Sequence, residues 1–151
     1  GKGHGKTGGV KTVNVHSNHE KLMLNILLTY PELSRVVAEE DWEGCVSNPE
    51  VMSILDEIIV KGVHDMSSLL LSFQGSAAQG LISEALMSSP GISDRDTASK
   101  MIMSCIKKLK LARLDERLKS LRLSINDAVK SKDAELEKRL LTEYTDLRKQ
   151  K

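Results

Sequence analysis

The sequence predicts an all-α protein in which a helical bundle is followed by a long helix and a C-terminal antiparallel helical hairpin. Hydrophobic residues make up 40% of the chain but aromatic residues only 3%, so the core must consist of aliphatic side chains. Unbranched Leu and Met lose little rotamer freedom in a helix. Apolar residues also recur three and four positions apart, which is the helical spacing, and residues 94–130 contain neither Pro nor Gly.

Residues 1–17 are rich in Gly and Lys and have no apolar periodicity. We expect a flexible linker or tag there. Gly5-Lys6-Thr7 matches the end of a phosphate-binding loop, but the full pattern needs an earlier Gly, a preceding strand and a following helix. We therefore expect no nucleotide site in this segment.

Residues 18–109 carry the start and stop signals of short bundled helices. Asn48-Pro49-Glu50 has the cap, proline and acid of a helix start, and Asp65 can cap a further helix. Gly62 and Pro90-Gly91 are expected to stop helices. The predicted helices begin near Asn18, at Pro31, at Pro49, at Met66 and shortly before Leu81.

The last third of the chain predicts one long helix to Lys130, a turn at residues 131–133 and a final helix. About 35 residues at ~1.5 Å each give a helix roughly 50 Å long. Its apolar stripe changes phase between Leu109 and Leu111, so the helix should bury one face in the bundle and another face later. The later stripe comprises Leu111, Leu114, Leu118, Leu121, Ile125 and Ala128, and the final helix offers Leu136, Leu140, Tyr144 and Leu147. Two such stripes joined by a short turn predict a hairpin over residues 110–151.

No residue pattern indicates catalysis or metal binding. Two cysteines cannot form a disulfide framework or a four-cysteine zinc site. His16, His19 and Glu20 lack further ligands, and the acidic residues 39–43 lack the spacing of a calcium loop. No apolar stretch reaches the ~18 residues of a membrane span. We therefore expect no active site, cofactor, metal or membrane span.

The charge is divided unevenly along the chain. Residues 19–106 carry five basic and thirteen acidic residues, a net −8, whereas residues 107–151 carry fourteen basic and eight acidic residues, a net +6. The basic cluster at residues 107–122 is interrupted by Asp115 and Glu116 and lacks aromatics for base stacking. We therefore expect this basic cluster to face solvent or an acidic protein partner, and not to bind nucleic acid directly.

Two leucines fall outside the predicted hairpin seam. Leu123 lies roughly opposite Leu121 and Ile125 on the helical wheel, and Leu141 is about 100° from the line through Leu140 and Tyr144. We expect both leucines to belong to a docking face.

Several short motifs resemble the helicase-binding C-terminal domain of bacterial DnaG-type primase. Residues 30–34 (YPELS) look like the corner that closes that domain's first helix. Asp41-Trp42 and Asn48-Pro49-Glu50 are similar to its acidic–aromatic loop and next helix start, with Trp42 in place of the usual Phe. The closing residues 143–149 (EYTDLRK) resemble its terminal hairpin.

The resemblance implies a domain that docks on the N-terminal domains of the hexameric DnaB-type replicative helicase and so recruits primase to the replication fork in the bacterial cytoplasm. The helicase contacts then fall on Thr145, Arg148 and Lys149, and the helical wheel adds Leu141, Tyr144 and Leu123. RNA primer synthesis, with its zinc and magnesium, belongs to upstream primase domains absent from this chain.

The resemblance also implies a second partner. In some family members a basic patch on the bundle takes the acidic tail of single-stranded-DNA-binding protein, and one of its basic positions matches Lys21. The neighbouring position matches His16, which departs from the family pattern.

Two alternatives remain open from the residues. One is a helicase N-terminal or loader-type domain, which the presence or absence of the terminal hairpin would distinguish. The other is a nucleic-acid-binding regulatory domain that uses the basic C-terminal helices, for which strong and salt-sensitive binding to single-stranded DNA would be expected.

Overall fold

The computed structural model describes residues 18–88, 91–92 and 94–151. The expected linker at 1–17, including Gly5-Lys6-Thr7 and His16, lies outside these residues. Within the described ranges all regular structure is helical, which confirms the predicted all-α class. The chain divides into two compact units, Gly1–Leu109 and Lys110–Lys151, called here the N-terminal and C-terminal units.

Short helices form most of the N-terminal unit. Residues 18–29 form α1, and a 3-10 turn then leads into α2 (Ser34–Ala38). A π-helical turn at Asp56–Val60 follows α3 directly. The remaining bounds are Pro31–Leu33 and Glu43–Cys45 for the 3-10 turns, Pro49–Leu55 for α3, Met66–Ser72 for α4, Ala77–Met87 for α5 and Arg95–Lys130 for α6, which continues into the C-terminal unit.

Local capping explains where several of these helices begin and end. The Asn48 side chain accepts hydrogen bonds from the backbone N–H groups of Glu50 and Val51, and Asp65 caps α4 in the same way. Gly62 has φ +71°, a left-handed conformation that favours glycine and stops a helix. The caps predicted at Asn48 and Asp65 are therefore confirmed.

One continuous aliphatic core fills the N-terminal unit. On α1, Met23 and Leu24 are fully buried, whereas Leu22 is only partly buried. The acidic loop contributes Trp42 to this core although its neighbours Asp41 and Glu43 are exposed. Other buried members are Ile26, Leu27, Leu33, Val37, Val51, Ile54, Leu55, Ile58, Leu69, Ile82, Ile102, Ile106 and Leu109.

The C-terminal unit consists of the later part of α6 and of α7 (Ala134–Arg148). Asp133 caps α7 by accepting from the backbone N–H of Leu136. Leu114, Leu118 and Leu147 form a small buried cluster, with Leu121 and Tyr144 packed against it.

Leu111 does not belong to the buried stripe predicted for α6. Its side chain is 37% exposed, whereas Leu114 is buried. Lys151 at the end of the chain pairs with Asp115 at 2.8 Å.

Candidate docking surfaces

Helix α7 presents two different faces. One face contacts α6 through Leu147 and Tyr144. The other is lined by Lys138, Leu141 and Thr145, together with Ala134, Glu137, Thr142 and Asp146 at its margins. This outward face is a shallow surface with an apolar centre and charged edges, which suits contact with another protein.

Leu141 is the main apolar group on the outward face, with 44% of its surface exposed. The Thr145 hydroxyl donates to the backbone carbonyl of Leu141 at 2.9 Å, so this hydroxyl has its hydrogen-bond acceptor within α7. Arg148 and Lys149 are exposed in the last turn. The outward face of α7 therefore brings together four of the expected docking residues.

Tyr144 and Leu123 lie elsewhere. Tyr144 is partly buried against the cluster of Leu118 and Leu147, so its ring stabilises the C-terminal unit and is not part of the outward face of α7. Leu123 is 60% exposed on α6. At 100° per residue it points nearly opposite to Leu118 and so away from α7. The expected docking residues therefore do not form one continuous surface.

Lys21 borders a groove between α1 and α5. Its ammonium nitrogen Nζ lies 3.1 Å from Oε1 of Glu84, and both side chains are about half exposed. Leu22, Leu81 and Ala85 also line the groove. A ligand carboxylate that reached Lys21 would compete with Glu84 for its ammonium group.

Asn25 also lines this groove, although no sequence motif identifies it as a site residue. Its amide nitrogen donates to the backbone carbonyls of Ala85 and Ser88 at the end of α5. Its Oδ1 atom is buried and has no hydrogen-bond partner. A buried acceptor without a donor costs stability.

Glu20 is a second buried polar residue that the sequence pattern did not reveal. Its side chain is 1% exposed and accepts three hydrogen bonds, from the backbone N–H of Ser47 at 3.1 Å, from the Ser47 hydroxyl at 2.9 Å and from the backbone N–H of Asn48 at 3.0 Å. This carboxylate joins α1 to the start of α3. Its role is structural, since every contact it makes is to the loop before α3.

The described residues contain no cluster of three potential metal ligands. Burial raises the pKa of the Cys105 thiol, against a smaller opposing effect of Lys108, which disfavours the reactive thiolate. Ser34 Oγ lies 3.2 Å from Nε2 of His64. A catalytic triad also requires a carboxylate at the other ring nitrogen, and within the described ranges Ser34 is the hydrogen-bond partner of the His64 ring.

None of the helices in the described ranges combines the length and the apolar character of a membrane span. No protein-family model, curated protein or solved structure matches the chain. The likeness to the primase domain therefore depends on the short motifs quoted above.

Proposed function

We propose that this chain is a protein-docking domain that binds the N-terminal domains of a hexameric replicative helicase, in the manner of the C-terminal domain of bacterial primase. The observation that carries the proposal is the outward face of α7, where Leu141 is exposed between Lys138 and Arg148. An exposed leucine flanked by charged groups is typical of a helix that docks in a groove.

In this proposal the C-terminal unit is an antiparallel helical hairpin and the N-terminal unit is the bundle that carries it. Packing of Leu147 against Leu114 and Leu118 supports the hairpin, as does the pairing of Lys151 with Asp115. The seam leaves Leu141 and Thr145 available to a partner, and docking would bring the primase to the replication fork in the bacterial cytoplasm.

Calorimetry with the isolated N-terminal domain of the helicase tests the proposal directly. Leu141→Ala should weaken binding by about tenfold or more, because truncation of a central apolar anchor typically costs over ~1 kcal/mol. Leu71→Ala is the matched control, since Leu71 is also an exposed leucine but lies on α4. Absence of binding by the folded wild-type chain, or equal losses in the two variants, would rule out the proposed site.

A second function is supported by the groove at Lys21. We propose that it binds an acidic peptide, such as the tail of single-stranded-DNA-binding protein, with Lys21 pairing a peptide carboxylate and Leu22, Leu81 and Ala85 contacting apolar groups of the peptide.

Fluorescence anisotropy with that labelled acidic peptide tests the second function. Lys21→Ala should abolish binding, whereas Glu84→Gln should strengthen it because the competing carboxylate is lost. Lys61→Ala is the control, since Lys61 pairs with Glu57 in another part of the bundle. Weaker binding by the Glu84 variant would contradict the proposed competition.

A further inference from the structure

The pairing of Asp115 with Lys151 places one side of α6 next to the end of α7. Their side chains meet at 2.8 Å, and Lys151 follows the last residue of α7, Arg148, by three positions. On α6, residues four and seven positions after Asp115 share its side, because these spacings complete one and two helical turns. Those residues are Lys119 and Arg122.

The same spacing identifies the neighbouring residues on α7. Leu141 lies seven positions before Arg148, so the two share one side of α7. The backbone N–H of Lys151 donates to the Arg148 carbonyl, so Arg148 lies close to the residue that pairs with Asp115. The register agrees with this placement, since Leu118 packs near Leu147. We therefore place Lys119, Arg122 and Arg148 on the same side of the two helices as Leu141, between Leu141 and the C-terminal end of α7.

The three basic side chains on this surface are not neutralised. Lys119, Arg122 and Arg148 are all exposed, and in the described part of the chain no carboxylate lies within ion-pair distance of them. Asp115 is already paired with Lys151. The acidic Glu137 lies one turn before Leu141 and marks the end of the basic surface.

We infer that the docking site is this two-helix surface, with Leu141 as the apolar anchor and Lys119, Arg122 and Arg148 as a basic rim, and that it binds an apolar recess bordered by carboxylates on the helicase N-terminal domain. The inference rests on the proposed function and adds two residues of α6 to it. Unpaired charges at the rim of an interface accelerate association and make it sensitive to salt.

The test uses the whole chain and measures binding to the helicase N-terminal domain at low salt and at about 0.3 M salt, where screening acts within a few ångströms. Lys119→Glu combined with Arg122→Glu should weaken binding by roughly tenfold or more at low salt, with a much smaller loss at high salt. Arg35→Glu combined with Lys100→Glu is the control. It makes the same charge change at two exposed positions of the N-terminal unit outside the basic cluster, and its affinity should stay within about twofold of wild type.

The outcomes separate the inference from the proposed function. If the wild-type chain binds equally well at both salt concentrations, and the Lys119/Arg122 variant loses no more affinity than the control variant, the inferred acidic partner surface is refuted and the docking function stands. If the wild-type chain does not bind at either salt concentration, both are overturned. Circular dichroism of each variant establishes that its helices are intact, so that a loss of affinity is not a loss of fold.

Discussion

Replacement of Glu20 tests whether one buried carboxylate holds the start of α3 in place. Glu20→Ala leaves two backbone N–H groups, of Ser47 and Asn48, without their acceptor. Hydrogen bonds to a charged group contribute about 1.5–3 kcal/mol each. Because water can reach the exposed Ser47, we expect a total loss near 3 kcal/mol. Glu20→Gln keeps one acceptor oxygen and should lose about half as much.

Urea denaturation followed by Trp42 fluorescence measures this loss, because Trp42 is the single tryptophan of the chain and is buried in the core of the N-terminal unit. Glu43→Ala is the control, since Glu43 is an exposed acid in the same loop, and its effect should stay within about 0.5 kcal/mol. If Glu20→Ala costs no more than this control, the three hydrogen bonds contribute no net stability and the reasoning is refuted.

Two further perturbations address the C-terminal unit and the caps. Leu118→Ala should destabilise the C-terminal unit by about 2–3 kcal/mol, since it removes a large side chain from a cluster of three buried leucines. In the variant, helicity should then fall at a lower urea concentration than Trp42 fluorescence changes. If the two transitions coincide, the two units do not unfold separately and the prediction is contradicted. The pKa of Asp65 is held below its ordinary value by hydrogen bonds from Ser68. Its stabilising effect is therefore present above about pH 4 and lost as the pH falls through the depressed pKa. Asp65→Asn keeps the cap without the charge, so the stability difference from wild type should vanish in acid, and a constant difference would argue against this role.

The helix caps could be predicted because they are encoded locally. Asn48 and Asp65 accept from N–H groups two or three residues later, so the short motif contains both partners. Glu20 and Asn25 could not be predicted in this way, because their partners lie 27 to 63 residues further along the chain. A buried polar side chain on a helix has no sequence signature until the helix that covers it is known.

The apolar spacing predicts which leucines are exposed better than it predicts how far the buried stripe of α6 extends. Positions on the helical wheel place Leu141 and Leu123 outside the seam, and both side chains are substantially exposed. Leu111 also follows the helical period, yet it is exposed. Periodicity identifies the face of a helix, but how far along the helix that face is covered depends on the length and register of its neighbour.

The bonds from Asn25 to the last carbonyls of α5 have a consequence for local unfolding. The C-terminal end of a helix frays because its last carbonyls lack partners within the helix. Here a partner is supplied by α1, about 60 residues earlier in the chain. Opening of the end of α5 must therefore also break the bonds from Asn25, so amide hydrogens at the end of α5 should exchange with solvent more slowly than at a helix end without such a partner.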